Sequence, residues 1–135
     1  MDANTGWICG SDGKISKTTD GGTSWTEYST PFSNTILEIC FINNTTGWAV
    51  STEGISKTTD GGKTWAIQYT PKILYEPKSL YFIDTNTGWA AGNYGLMLHT
   101  TDGGNTWTEQ STPIKKGNYF YDVFFCKRKF RLCSW

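Results

Sequence analysis

The sequence predicts an all-β fold built from repeated four-stranded antiparallel sheets, and three observations support this prediction. The tripeptide Thr-Gly-Trp occurs 41 residues apart, at 5–7, 46–48 and 87–89. The pentapeptide Thr-Thr-Asp-Gly-Gly follows each copy at a nearly constant distance. The apolar runs have the length of strands and alternate with turns rich in Gly, Asn and Asp, and no run shows the helical period of about 3.6 residues.

The third copy shows the elements of the repeat in order. Its predicted strands are 80–83, 88–92, 96–100 and 106–109, and turn-forming segments separate them. One such sheet alone would leave its Trp and Leu side chains in water, so neighbouring sheets must stack. A four-stranded unit that repeats roughly every 40–45 residues is typical of a β-propeller blade. We therefore predict a β-propeller with about three blades per chain.

Length and charge exclude several classes of function. The chain has 135 residues, which is one ordinary domain, and its 12 basic and 12 acidic residues balance. A neutral chain lacks the basic surface that nucleic acids require. No apolar run approaches the roughly 18 residues of a membrane span, so we expect no membrane insertion. The first six residues carry neither a basic end nor an apolar stretch and predict no signal peptide, and the cellular location is left open.

The pentapeptide belongs to a turn motif of the form Thr-x-Asp-x-Gly-x-x-Trp. Its three copies are Thr18, Asp20, Gly22 and Trp25; Thr58, Asp60, Gly62 and Trp65; and Thr100, Asp102, Gly104 and Trp107. A short carboxylate accepts backbone N–H groups within its own turn, glycine adopts positive φ, and the Trp packs under the hairpin. One carboxylate per turn falls short of the roughly six to eight oxygens that Ca²⁺ takes, so we expect neither a metal nor another cofactor.

This motif resembles the Asp-box, or bacterial neuraminidase repeat, of sialidase-like propellers and sortilin-type receptor domains. The preceding Thr-Gly-Trp strand makes the chain most similar to the photosystem II assembly-factor family of propellers. The resemblance covers roughly residues 2–125. It implies that the box is a folding element between the third and fourth strands of a blade, away from the ligand face.

The catalytic residues that a sialidase resemblance would imply are missing. Such an enzyme uses three arginines, a Tyr–Glu pair and an acidic proton donor, whereas this chain has only Arg128 and Arg131, both outside the repeats. A glycosidase needs two facing carboxylates. Glu38, Glu53 and Glu76 occupy three different repeat positions, so we expect each to be solvated.

No other catalytic set is present in the sequence. His99 takes the strand position of Lys17 and Lys57, which predicts an outward-facing surface residue. There is no Ser/His/Asp set, Gly-rich phosphate loop or Cys-x-x-Cys pair. The chain is therefore predicted not to be an enzyme.

The repeat is offset within the chain. Residues 2–7 match 84–89, and residues 121–125 match 78–82. The repeat region 1–125 thus begins at the second strand of a blade and ends on a lone first strand. It contains three Asp-box repeats.

The last ten residues depart from the repeat. In the segment 126–135, a shifted reading of the same codons from within Phe125 can restore the pattern, which suggests a single-base frameshift in a longer propeller gene.

Cys9 and Cys40 align with core positions and predict small buried apolar side chains. Cys126 and Cys133 lie in the aberrant tail, and their redox state stays open.

Three blades cannot close a ring, and terminal blades expose apolar faces and strand edges. Self-association through a head-to-tail contact would remove these edges. We expect a homodimer with six blades, or a trimer with nine, in which the last strand, about 119–125, completes the first blade of another copy.

The candidate ligand face lies among the connections between blades and the turns between second and third strands. Its candidate residues are Tyr75, Tyr94, Tyr119 and Glu76. Exposed aromatic rings beside polar groups suit a sugar or a protein contact, although several can simply pack between blades. We predict a non-catalytic scaffold that binds protein or carbohydrate. The alternatives are a fragment of a sialidase-like glycoside hydrolase lacking its catalytic residues, and a truncated fragment without native activity.

Overall fold

A computed structural model describes residues 2–114 and 117–125. The described chain consists of eleven β-strands and one short 3₁₀ turn, Asn93–Gly95. The strands are β1 Gly6–Cys9, β2 Lys14–Thr18, β3 Thr26–Ser29, β4 Ile36–Phe41, β5 Gly47–Ser51, β6 Gly54–Thr58, β7 Ala66–Tyr69, β8 Pro77–Phe82, β9 Gly88–Gly92, β10 Met97–Thr100 and β11 Thr108–Glu109. No described helix is long and apolar enough to span a membrane.

The strands form three antiparallel sheets in simple up-and-down order, and we call these sheets blades. Blade 1 holds β1–β3, blade 2 holds β4–β7 and blade 3 holds β8–β11. Within each blade, every strand pairs with the next strand of the chain, because the connections inside a blade are short turns. The predicted all-β fold of repeated four-stranded sheets is confirmed for blades 2 and 3.

The constant spacing of the tryptophans gives them the same register in every blade. Trp7, Trp48 and Trp89 lie on the second strand of the repeat and face Lys17, Lys57 and His99 on the third. The two lysine ammonium groups lie 5.3 and 5.2 Å from the tryptophan ring centres, and the imidazole stacks on its ring at 4.9 Å. These pairs are cation–π and aromatic contacts across neighbouring strands.

The core lies between blades rather than within them. Between blades 2 and 3, one cluster joins Trp48 and Ile55 to Leu80, Phe82 and other apolar residues, all buried. Because a sheet buries a face only against another layer, each blade depends on its neighbour. This dependence explains why the apolar residues recur with the period of the blade.

One contact repeats at each blade junction. The ring of Trp7 stacks on Phe41 of the next blade at 3.8 Å, and Trp48 stacks on Phe82 at 3.5 Å. The indole N–H of each also donates to a carbonyl in the next Asp-box turn, Gly61 or Gly103, at 3.0 Å. The tryptophan therefore joins neighbouring blades by a stacked ring and by a hydrogen bond.

Residues 117–125 run along blade 3 in the way that β8 runs along blade 2. Trp89 stacks on Phe125 at 3.8 Å. The backbone N–H of Val123 donates to the Ser79 hydroxyl at 3.2 Å, just as the N–H of Leu80 donates to the Glu38 carboxylate at 2.8 Å. The segment is not a strand in the structure, because no second strand of a further blade pairs with it among the described residues.

Several side chains differ from expectation. Cys9 and Cys40 are half-buried rather than buried. Cys9 lies on β1, the edge of a three-stranded blade, and partial burial together with the charge of Glu38 raises the pKa of its thiol. His99 is half-buried, not on the open surface, because it stacks on Trp89. Cys126, Cys133 and the rest of the segment 126–135 lie outside the described residues, as do the arginines of that tail.

Candidate functional site

The three Asp-box turns share one hydrogen-bond pattern, which Asp60 illustrates. Its carboxylate accepts the backbone N–H groups of Lys63 at 3.0 Å and Thr64 at 2.9 Å. It also accepts the hydroxyls of Thr58 at 2.8 Å and Thr64 at 2.6 Å. Asp20 and Asp102 make the equivalent bonds to the hydroxyl two residues before them and to the residue four after them.

The threonine and the tryptophan of each box complete the turn. The Thr58 hydroxyl accepts the N–H of Gly62 at 2.9 Å, and Thr18 and Thr100 do the same in their boxes. The Trp65 indole donates back to the Gly62 carbonyl at 2.9 Å. Because the carboxylates are committed to their own turns, and because the described residues contain no cluster of three or more metal-binding side chains, we propose a structural role for the boxes.

We expect these carboxylates to make the stability of the fold depend on pH in the acidic range. Burial raises the pKa of Asp60, but the hydroxyl and N–H of Thr64 more than offset this and lower it from 3.8 to about 2. Hydrogen bonds from Ser24 and Thr106 lower the pKa values of Asp20 and Asp102 to about 2 as well. A carboxylate whose pKa is lower in the folded state stabilises the fold at pH values above its unfolded-state pKa. This contribution is lost as the pH falls through the folded-state pKa.

The unfolding free energy should therefore fall between about pH 4 and about pH 2. Urea denaturation at several pH values across that range measures this fall. Asp60→Asn should show a shallower fall, because one of the titrating carboxylates is gone. A free energy that stays level over this interval in the unmodified chain would contradict the assignment.

The predicted ligand face is a row of three tyrosines on one side of blade 3. The ring centre of Tyr94 lies 6.0 Å from that of Tyr75 and 5.7 Å from that of Tyr119. Tyr94 adopts a positive φ of 56° within the 3₁₀ turn. A hydrogen bond with Tyr94 raises the pKa of Tyr119. The structure thus brings the three predicted aromatic residues together.

The fourth predicted residue, Glu76, is partly exposed and also supports this row. Its carboxylate accepts the side-chain amide of Asn93 at 3.0 Å and pairs with Lys78 at 3.2 Å. The backbone carbonyl of Glu76 accepts the N–H of Asn93 at 2.9 Å. Glu76 therefore fixes the turn that carries Tyr94.

The other two glutamates are also partly exposed, and each has a structural partner that the sequence did not predict. Glu53 accepts the backbone N–H groups of Ser33 at 2.6 Å and Asn34 at 2.9 Å, in the connection before blade 2. Glu38 accepts the N–H of Leu80 at the junction of blades 2 and 3.

Beside the tyrosine row lies a groove between blades 2 and 3 that the sequence reasoning missed. Its volume is about 530 Å³, and a second cavity of about 280 Å³ adjoins it, with Tyr75 and Glu109 lining both. The residues of the larger cavity outside the predicted face are Tyr69, Lys72, Leu96, Leu98, Trp107 and Glu109. Partial burial and the charge of Glu109 raise the pKa of Tyr69.

One sequence signal could have revealed this groove. Position 98 holds leucine, whereas the same register position in the other blades holds Ser16 or Ser56, as the pairing to Ile8, Ala49 and Ala90 shows. A departure from the repeat toward an apolar residue marks an added apolar surface. Leu98 is buried in the floor of the groove.

Comparisons with known proteins agree with this architecture. Residues 24–116 match the family described as photosynthesis system II assembly factor YCF48. A search of curated proteins gave no match. A structure titled "YCF48 bound to D1 peptide" is 26% identical, has a TM-score of 0.69, and aligns over 80% of this chain and 37% of its own. YCF48 from Cyanidioschyzon merolae is 25% identical, with a TM-score of 0.63 over 78% of this chain and 35% of its own.

An ancestral GH74 enzyme is 16% identical, with a TM-score of 0.69 over 88% of this chain and 18% of its own. At that identity the likeness extends to the fold alone. This chain spans little more than a third of the YCF48 structures. Because the family match covers more than half of the chain, and because the blades share the fold of these propellers, the chain belongs to the YCF48 family of photosystem II assembly-factor propellers.

Proposed function

We propose that this chain is part of a non-catalytic β-propeller that binds a segment of a protein partner on the tyrosine row of blade 3. The observation that carries this proposal is the convergence of Tyr75, Tyr94 and Tyr119 beside an open groove. Tyrosine combines a large apolar ring with a polar hydroxyl and is enriched in protein interfaces. The related YCF48 structure with a bound D1 peptide supports a peptide as the partner.

The positions of the glutamates speak against hydrolysis of glycosides by these blades. A glycosidase holds two carboxyl groups across the scissile bond, about 5–10 Å apart. Glu38, Glu53 and Glu76 instead accept hydrogen bonds from backbone or side-chain N–H groups of the fold. A fragment of a glycoside hydrolase whose catalytic residues lie elsewhere is the alternative, and glycan binding is a second outcome of the same test.

The test is a selection of binders from a displayed library of random peptides, alongside titration with the D1 peptide. We expect selected peptides to bind the unmodified chain and to lose most of their affinity on Tyr94→Ala. Tyr28→Ala, in blade 1 and remote from the row, is the matched control and should bind normally. No peptide binding, together with binding on a glycan array or cleavage of a fluorogenic glycoside, would overturn the proposal.

We also propose that the 135-residue chain, produced by itself, self-associates through its outer blade faces. In blades 2 and 3 the Asp-box glycines Gly61 and Gly103 are buried beneath the tryptophan of the preceding blade. In blade 1 the equivalent Gly21 is exposed, and Trp25 is 43% exposed. A second copy supplies the missing neighbour, giving six blades as a dimer or nine as a trimer. Light scattering should report a mass of two or three chains, and a stable monomer at micromolar concentration would contradict this expectation.

A further inference from the structure

The junction of blades 1 and 2 is filled by a phenylalanine from the chain itself. Phe32 follows Pro31 in the connection between these blades and is only 6% exposed. It packs in one cluster with Ile15 of blade 1 and Ile36 of blade 2, and Trp65 contacts the same cluster. A connection segment of this fold therefore places an aromatic side chain between two blades.

At the junction of blades 2 and 3 no aromatic residue directly follows the proline, and Tyr75, the aromatic residue of this connection, packs against the cluster but is only partly buried. The residue after Pro71 is Lys72, and the next two side chains, Ile73 and Leu74, are 90% and 55% exposed. Leu74 has a φ of 75°, a left-handed conformation that is rare for a bulky residue. The groove of about 530 Å³ lies at this junction.

The walls of the groove suit an aromatic guest. Leu98 forms part of an apolar floor, and Tyr69, Tyr75 and Trp107 line it. Lys72 and Glu109 also line it, providing one charge of each sign. Aromatic rings favour packing against other rings, which adds to the gain from simple burial. The volume lies within the range of about 300–1,000 Å³ found for specific ligand sites.

We propose that this groove seats an aromatic side chain, of the phenylalanine type, on an extended segment of the protein partner. The guest takes the place between blades 2 and 3 that Phe32 takes between blades 1 and 2. The inference rests on the proposed function and names the anchor that the partner supplies. Partner segments that carry an aromatic residue are preferred over aliphatic or charged ones.

The direct test uses N-acetyl-phenylalanine amide as the probe and N-acetyl-alanine amide as its control. Titration is followed through the indole N–H resonances of the ¹⁵N-labelled chain. The phenylalanine probe should shift the Trp107 resonance, whereas the alanine probe should leave it unchanged. Absence of a shift with the phenylalanine probe would overturn the inference.

Two substitutions locate the guest. Lys72→Phe copies the Pro–Phe order of the first connection, so that the chain fills its own groove, and Leu98→Ser places in the floor the residue that the other two blades carry. Each should weaken the phenylalanine probe by about tenfold or more, the order expected when a buried aromatic contact is lost. Ile73→Ala changes a neighbouring side chain that is 90% exposed and does not line the groove, so this control should bind the probe normally. Unchanged binding in both Lys72→Phe and Leu98→Ser would place the guest elsewhere and refute the inference.

The displayed-peptide selection separates this inference from the function it refines. Selected peptides that bind with full affinity to Lys72→Phe would refute the groove as anchor and leave peptide binding intact. Binding of the phenylalanine probe without any selected peptide would refute the protein partner and keep the groove as an aromatic site. If the partner is a peptide and the groove seats its aromatic anchor, the selected peptides should be enriched in Phe, Tyr or Trp and should lose binding to Lys72→Phe.

Discussion

Trp48→Ala is expected to lower the unfolding free energy by about 3–5 kcal/mol, the usual cost of deleting a buried tryptophan. Trp48 has no exposed surface and stacks on Phe82 with ring centres 3.5 Å apart. Its indole N–H donates to the Gly103 carbonyl at 3.0 Å. The substitution therefore opens a cavity at the junction of blades 2 and 3 and leaves a buried carbonyl without its donor. Since small domains are stable by only about 5–15 kcal/mol, much of the chain should unfold.

Urea denaturation followed by circular dichroism measures this loss, and two variants serve as controls. Trp48→Phe keeps an aromatic ring and removes the donor, so it should cost about 1–3 kcal/mol. Trp25→Ala removes the box tryptophan of blade 1, which is 43% exposed, and should cost clearly less than Trp48→Ala. Equal losses at positions 25 and 48 would mean that stacking between blades does not hold the fold together.

The role of Trp48 illustrates what the sequence could predict. Its spacing from the other Thr-Gly-Trp tryptophans placed it on a recurring strand, and the period of the repeat implied stacked sheets. The pattern alone did not show that Lys57 would lie over its ring or that its N–H would reach the box of the next blade. Those contacts depend on the angle between blades, which no single repeat determines.

The candidate site was also predictable only in part. Tyr75, Tyr94 and Tyr119 occupy connections that propeller geometry brings to one side, so their proximity followed from the topology. The partners of Glu53 did not follow, because the N–H groups that it binds belong to a connection 19 and 20 residues away in the chain. The groove was missed because it arises from an absence, namely the lack of a side chain like Phe32 after Pro71.

Gly54→Ala should destabilise the chain by about 2–3 kcal/mol, in the range found for overpacked sites with strained backbone. Gly54 has a φ of 143°, and a Cβ atom placed there would lie 2.1 Å from the carbonyl oxygen of Tyr69. That oxygen is backbone on the neighbouring strand β7, so it cannot move aside as a flexible side chain would. Thermal or urea denaturation gives the loss directly.

Gly10→Ala is the matched control, because this glycine also lies at a turn between the second and third strands of a blade. A Cβ atom at Gly10 would have no other atom within 4 Å, and the φ of this residue lies outside the left-handed region. We expect a change within about 0.5 kcal/mol, and a loss as large as that of Gly54→Ala would contradict the steric explanation.

Because Tyr69 is also a wall of the groove, Gly54→Ala should weaken binding of the phenylalanine probe even in the fraction of the chain that stays folded. The close approach of β6 to β7 thus links the stability of blade 2 to the shape of the binding groove.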